Sequence, residues 1–472
     1  DWSYDLLSEQ ERTLLRRLAV FVGGGTTSAI AAVAATQTDT TDGAAEITNL
    51  LDALVEKSLV SVRWSAAGPR YWMLESIRDY ARAALIAAEG EEGVRQCHLH
   101  YFARWAEAVE QQSRGGEQAQ LLHDLEPDLD NLRAALAWSR IAPATHAANA
   151  HEFGLQLAGA IWPYWALQGT LDEGRTQLEA LLALRPQRRT VARAKGLYGL
   201  AAIVARQDEV GRDLTPLLEE SAAIWREIGD DRGLAYTLIF HGAVIERRNP
   251  LYARIQIETG LALFRRLGDL PGIGESLHYL GRNAMNRGDS VGARACYEES
   301  RDLWRTVGNT WGLADSLNAL GIIALAEGNV ESAAIHFAES LAMSSQLNLT
   351  LNITTALCNL SNAELRLGQL DAALAHVRKS LTTFAGLDNR SGIAHCLAIM
   401  ARLADAEGDA LRAAQLDGAA QALREAFDIS FGLAELPPYM FHEDADNTIA
   451  SARIVGQTMA LADLLAYALA SH

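Results

Sequence analysis

A few groups of residues in this sequence have side chains and spacings that could do chemistry. His98-Leu99-His100 places two metal-ligand side chains at i and i+2. On a helix that spacing sends the imidazoles to different sides, so a shared ion is not expected. Glu126, Asp128 and Asp130 gather carboxylates around Pro127. The cluster has neither the glycine nor the closing glutamate of a calcium loop, and reads as the start of the helix that carries Trp138. The run Ile161-Trp162-Pro163-Tyr164-Trp165 sets three aromatics around a proline that should kink or end a helix. It reads either as a packed junction or as a stacking surface, formed by Trp162, Tyr164 and Trp165, for a sugar or nucleoside. The four cysteines, Cys97, Cys296, Cys358 and Cys396, form no CxxC. That argues against a zinc ribbon or disulfide scaffold and fits a reducing cytosol. Gly23-Gly24-Gly25 is not followed by Gly-Lys-Ser/Thr, so it is not a phosphate loop. The histidines are too scattered for a nucleophile–base arrangement. No catalytic residue, metal or cofactor is expected, and the chain is not expected to be an enzyme.

Composition narrows the classes further. The 472 residues are 49% hydrophobic and 21% charged, enough to bury a sizeable core. At ~100–200 residues per domain they allow two to four domains or one repeat array. The 41 Lys+Arg against 59 Asp+Glu leave a net charge of −18, which opposes general attraction to nucleic acid or an anionic membrane. The lysines are Lys57, Lys195 and Lys379 alone, so there is no polybasic tract. No apolar run reaches the ~18 residues that span a bilayer, and a cytoplasmic location is expected. The start at Asp1 without an initiator Met suggests a piece of a longer chain.

The elements that must position these residues come from an internal repeat. Tyr279-Leu280-Gly281, Ala319-Leu320-Gly321, Asn359-Leu360-Ser361 and Ile399-Met400-Ala401 align without gaps, at a step of 40. Turns follow at Gly288-Asp289, Gly328-Asn329, Gly368-Gln369 and Gly408-Asp409. A second helix carries Ala293/Ala333/Ala373, then Tyr297/Phe337/Val377 four residues on and so on the same face. Trp304, Ser344 and Phe384 follow, and the helix ends at Gly308-Asn309, Asn348 or Asp388-Asn389. Gly268-Asp269 and Gly229-Asp230, with Phe264 and Trp225, extend the series backwards, and a diverged unit starts near Leu155 with its turn at Gly169. Leu280, Leu320, Phe337 and Trp304 are expected in the core. The pattern resembles the tetratricopeptide repeat, lengthened by about 6 residues from the usual 34. It implies a right-handed superhelix of helical hairpins whose first helices line the inner wall, and a function in binding.

By that register, the wall positions left free by the core are Tyr198, Arg206, Tyr236, Glu246, His278, Arg282, Asp315, Asn318, Cys358, Asn362 and Arg402. Polar groups with a few aromatics suit a small effector or a peptide; a merely solvated groove is the alternative. Tyr236, His278, Arg282 and Asn318 are the principal expected contacts, with Arg282 gripping a carboxylate or phosphate in bidentate fashion. As an exposed arginine, Arg282 should tolerate truncation for under ~0.5 kcal/mol.

The first ninety residues follow another plan. A helix over 8–22 opens with Ser8 and Glu11 as a capping box and ends at Gly23-Gly24-Gly25. A second helix covers about 26–35, a Thr/Asp-rich loop 37–45, and a third helix 46–57. Leu59–Trp64 and Arg70–Leu74 alternate as the strands of a hairpin, and a helix over 75–88 follows. Helices plus a β-hairpin make a winged helix. Its third helix, Glu46 to Lys57, carries three carboxylates and one cation, the wrong balance for reading bases beside phosphates. The whole chain is therefore expected to be all-α apart from one hairpin: winged helix 1–88, helical linker 89–150, repeat array 151–425, capping helices 426–472.

Five motifs in order carry a more specific resemblance: Asp1–Leu7, Leu18–Gly24, Leu54–Val60, Tyr71–Ala81 and Asp130–Trp138. With the long repeats, they resemble the C-terminal half of bacterial signal-transducing P-loop ATPases of the NB-ARC type. These are related to the maltose-regulon activator, and many are called LuxR-family transcriptional regulators. The resemblance implies an ATPase domain preceding the winged helix in the parent chain. It also implies that any LuxR-type helix-turn-helix would begin near Leu464–Ala468. The family often carries Met-His-Asp in its winged helix, the His touching nucleotide; Met73-Leu74-Glu75 stands there instead, without the imidazole. The implied function is regulatory: the repeats receive a small effector, peptide or protein, and the winged helix relays this to the ATPase. A constitutive protein–protein scaffold and a DNA-binding winged-helix regulator are the alternatives.

Overall fold

The computed structural model describes residues 2–34, 43–65, 68–112, 123–184, 188–207, 213–347, 349–427 and 447–470. The chain forms two compact units, Asp1–Val244 and Ile245–His472.

The N-terminal unit opens with the winged helix. Ser8 Oγ accepts from the Glu11 amide at 3.2 Å, and Glu11 accepts from the Ser8 amide at 2.7 Å, so the capping box forms as the residue types require. The helix Glu9–Leu18 ends four residues before the expected boundary at 22. Ala19, Val20 and Phe21 are buried in the turn beyond it, so an apolar run that looked helical is core by another route. The next helices are Thr27–Ala34 and Gly43–Glu56. The Thr/Asp-rich loop expected over 37–45 lies outside the described residues as far as 42, and 43–45 begin the third helix.

The expected single hairpin is corrected to a three-stranded antiparallel sheet. β1 (Gly25–Thr26), β2 (Ser61–Ser65) and β3 (Gly68–Trp72) lie in the order β1-β3-β2, with Gly25 opposite Tyr71 and Val62 opposite Tyr71 on the other side. The added strand owes its approach to glycine. Gly24 sits at φ +71°, and a Cβ there would fall 2.5 Å from the Tyr71 carbonyl oxygen. Residues 66–67 of the hairpin lie outside the described set.

Helices Glu75–Ala88 and Glu92–Gln112 follow, then a short turn Glu126–Asp128, helix Leu129–Ile141 and helix Ala144–Gln168. Pro163 neither ends nor breaks the last of these, contrary to its usual effect. The missing N–H costs one backbone hydrogen bond; the burial of Ile161, Tyr164 and Trp165 around it offsets that loss. Gly169, at φ +73°, ends the helix instead. Helices Leu171–Leu184, Val191–Arg206, Thr215–Ile228 and Asp231–Ile245 continue the hairpin series. One continuous core runs from Leu7 through Leu99, Leu132 and Leu157 to Trp225, so winged helix, linker and first repeats share an interior.

The C-terminal unit is built from helical hairpins at the expected step: Leu270–Asn286 with Ser290–Val307, Thr310–Ala326 with Val330–Gln346, Thr350–Arg366 with Leu370–Gly386, and Arg390–Ala406 with Ala410–Ala426. Helix Pro250–Leu267 precedes them. The turn glycines adopt positive φ, and Asp289, Asn329 and Asp409 then cap the next helix by accepting from an amide three residues on. Gly281 and Gly321 allow the rings of Tyr297 and Phe337 to lie against the first helix; a Cβ would meet those rings at 2.8 and 2.6 Å. Trp304, Phe337 and Leu320 are buried as expected, whereas Leu280 is only half-buried. Helices Asn447–Thr458 and Leu461–Leu469 close the unit, where Arg412 donates to the carbonyls of Ala468 and Ala470. Of the expected capping region 426–472, residues 428–446 and 471–472 lie outside the described set, as does the repeat end at Asn348.

Candidate effector-receiving faces and a polar knot

The inner-wall candidates separate into two kinds of environment. In the C-terminal unit they mostly pair with one another about one repeat apart. Arg282 Nε donates to Glu246 Oε2 at 3.1 Å, and its guanidinium also lies 5.0 Å from the Tyr279 ring centroid. His278 Nδ1 approaches Asp315 Oδ2 at 3.3 Å. Asn359, one position outside the expected set, donates to Asn318 Oδ1 at 2.9 Å. Cys358 and Cys396 bring their sulfurs to 3.4 Å in the interior. Asn362 is buried, and Arg402 is half-buried with partners of its own.

Arg282 is therefore not the free cation that its register position suggested. Glu246 was placed on the open wall but its side chain is only 6% exposed, so it is the buried half of the pair. Burial lowers the His278 pKa, with Asp315 partly opposing, so the imidazole is neutral at pH 7. Burial also pushes the Cys396 thiol well above its ordinary value, which keeps that sulfur protonated and unreactive.

In the N-terminal unit the candidates come together differently. Trp162 and Tyr198 meet edge to face at 5.7 Å between ring centroids, and Tyr198 meets Phe240 at 5.3 Å. The three rings lie on the first helices of successive hairpins and each is half-buried. Arg206 is exposed, with its guanidinium 5.5 Å from the Trp162 ring centroid and Nη1 on the Ala202 carbonyl. Tyr236 is half-buried one helical turn before Phe240. The second aromatic candidate thus divides: Tyr164 and Trp165 are core, while Trp162 joins Tyr198 and Arg206. Phe240 was missed because Leu-Ile-Phe reads as core from its neighbours.

A third arrangement was not foreseen at all. Arg70 on β3 grips Asp128 with both terminal nitrogens, at 2.7 and 3.1 Å. The same guanidinium donates to the carbonyls of Gly23 and Gly24, each at 3.0 Å. Buried Asn131 donates to Gly24 O and to Asp128 Oδ1, each at 2.8 Å, and accepts from the Val22 amide at 3.0 Å. His98 lies beside it against Phe21 and Phe102; burial drives its pKa down to about 4, with Asn131 working the other way. The knot ties wing, glycine loop and linker helix into one body. Of the suspected acidic cluster, Asp128 is its anchor. The one available signal was the Asp-Asn spacing in the motif around Asn131. His100 points elsewhere and stacks on Phe153 at 4.5 Å, so the two histidines do diverge. Among the described residues no group of three His, Cys, Asp or Glu could hold a metal ion, and no helix is long and apolar enough to cross a membrane.

Comparison with known proteins identifies both modules. The family model described as "Winged helix-turn-helix domain" matches residues 7–86, and that described as "Tetratricopeptide repeat" matches residues 272–346. The chain joins a winged helix-turn-helix domain to tetratricopeptide repeats. "Putative HTH-type transcriptional regulator Rv0890c" of Mycobacterium tuberculosis is 32% identical over 311 residues, 63% of this chain and 33% of that protein. The Mycobacterium bovis protein "Putative HTH-type transcriptional regulator Mb0914c" matches to the same extent. The chain spans about a third of the length of these curated relatives. Both relatives are named as transcriptional regulators, and neither matched domain is a catalytic one. Among solved structures, the Pyrococcus horikoshii protein PH0952 is described as a Signal Transduction ATPase with Numerous Domains with a tetratricopeptide repeat sensor. It superposes with a TM-score of 0.55 at 15% identity, covering 91% of this chain and 59% of that one, a likeness of fold.

Proposed function

We propose that this chain is the receiving and relaying part of a signal-transducing transcriptional regulator. Its repeats take up an effector, peptide or protein partner, and the linker passes the event to the winged helix. The winged helix in turn controls an ATPase domain of NB-ARC type elsewhere in the parent chain, as in LuxR-family regulators related to the maltose-regulon activator. The observation that carries the reading is the polar knot. A shift of the linker helix at Asp128 or Asn131 must drag β3 and the Gly23–Gly24 loop with it, because the bonds joining them are shielded from competing water.

The same knot weighs against a DNA-reading wing, since Arg70 is already spent on a carboxylate. The helix Gly43–Glu56 keeps Glu46, Asp52 and Glu56 exposed, a poor surface to set beside phosphates. The relatives' names keep the DNA-binding reading as the second one. A gel shift with duplex DNA at physiological salt decides between them, and a sequence-specific shift would overturn the relay. Thermal shift against a fractionated metabolite and peptide pool tests reception: a sensor gains RT ln(1 + [L]/Kd), and a constitutive scaffold gains nothing. No cofactor is proposed for residues 1–472, which contain no Gly-Lys-Ser/Thr phosphate loop. Micromolar ATP affinity by calorimetry would contradict that.

A further inference from the structure

Several second-helix aromatics of the repeats are buried, and one row of first-helix aromatics is not. On the second helices, Trp225, Phe264, Trp304, Phe337 and Phe384 are all buried. Trp162, Tyr198 and Phe240 sit on first helices, touch ring to ring, and each keep part of their surface in water. Gly199 lets Trp162 approach the neighbouring helix closely; a Cβ there would meet the indole at 2.9 Å. The row is therefore held in place without being covered.

Its charge is equally distinctive. Arg282 is neutralised by Glu246, and Lys195, on the helix of Tyr198, is held by Glu107 and Glu110 at 3.0 and 2.9 Å. Arg206 stands over the Trp162 face with a single hydrogen bond to a backbone carbonyl and no carboxylate partner among the described residues. An exposed guanidinium fixed on an indole presents its remaining donors as a planar fork, the geometry that meets carboxylate or phosphate. Ring faces beside a cation with no carboxylate partner among the described residues select for a planar ring that carries a negative charge.

We propose that Trp162, Tyr198, Phe240 and Arg206 form a binding site for a small aromatic anion, a planar ring bearing a carboxylate or a phosphate. This rests on the receiving role proposed above and names the ligand class and the face. Arg206 supplies the charge-assisted bonds, and the three rings supply stacking area at small entropic cost.

The test is calorimetry on the full chain with paired probes at up to millimolar concentration. Indole-3-carboxylate, 4-hydroxybenzoate and adenosine 5′-monophosphate are set against indole, phenol and adenosine. At least one anion should bind roughly tenfold or more tighter than its neutral partner, as one charge-assisted hydrogen bond implies. Arg206→Gln should abolish that preference while leaving the thermal melt unchanged. Arg226→Gln, an exposed arginine on a second helix, should leave the preference intact. Tyr198→Leu should weaken both members of a pair; if it unfolds the chain, Arg206→Gln alone decides. Absence of binding by every anionic probe, or a preference that survives Arg206→Gln, overturns the assignment. If the metabolite pool stabilises the chain while the anionic probes do not bind, the receiving role stands and this site falls. If neither has any effect, both fall.

Discussion

Replacing Arg282 by alanine separates two descriptions of the repeat wall. As an exposed groove arginine, Arg282 would be dispensable to within ~0.5 kcal/mol. The structure gives a different expectation. The Glu246 carboxylate is 6% exposed and accepts from Arg282 at 3.1 Å, so the substitution strands a buried charge. Stripping one partner from a fully buried pair costs about 3–5 kcal/mol. The Arg282 side chain is 39% exposed, so water can enter where it was, and the cost falls to about 1–3 kcal/mol. The companion Glu246→Leu/Arg282→Met removes both charges and should recover most of the loss. Repeat arrays need not unfold as one unit, so the assay is native-state hydrogen exchange of Leu270–Asn286, read with urea denaturation. Protection within ~0.5 kcal/mol of the parent in Arg282→Ala, or no recovery in the double variant, would refute the reasoning.

Asp128→Ala leaves the Arg70 guanidinium, 18% exposed, without its carboxylate; urea denaturation should register a loss of about 2–4 kcal/mol, and Arg70→Met/Asp128→Leu should be milder than either single change. His98 and His395 both sit at about 4, below the ordinary 6.5, because burial favours the neutral ring. The unfolded chain binds more protons between those values, so stability is full above pH 6.5 and falls as pH drops towards 4, by up to about 3 kcal/mol per histidine. His98→Gln should flatten that slope in the N-terminal unit only, as followed by exchange across Glu92–Gln112. Gly321→Ala pushes a methyl into the Phe337 ring at 2.6 Å and should cost about 1–3 kcal/mol in a thermal melt, whereas Ala319→Gly, with no ring to accommodate, should cost about 1 kcal/mol.

How much of this was legible follows from the range of each interaction. The repeat step, the capping box at Ser8 and the turn glycines are local, set by residues within a few positions of one another, and they appear where their types require. The third strand was hidden because Gly25-Thr26 is too short to alternate, and its partner Tyr71 lies far along the chain. The helix end at Leu18 was misplaced because Ala19–Phe21 are apolar for tertiary reasons. At the candidate faces, register placed most residues on first helices but could not show the commitments of their side chains. Arg282 finds Glu246, and Asn318 finds Asn359, through neighbours about a repeat away. Arg70 and Asp128, 58 positions apart, leave no periodic trace at all.

The repeat-to-repeat joints of the C-terminal unit are chemically unlike one another: an ion pair at Glu246–Arg282, an imidazole beside an acid at His278–Asp315, two amides at Asn318–Asn359, two thiols at Cys358–Cys396. A tandem array copied from one ancestral unit would begin with identical joints, whose slippage by one unit would cost nothing in side-chain matching. Here a slip of one 40-residue unit would set Glu246 against Ile322, His278 against Thr355, or Asn318 against Ile399. The joints act as a set of differently cut keys, and so they favour the native stacking of nearly interchangeable hairpins over a slipped one.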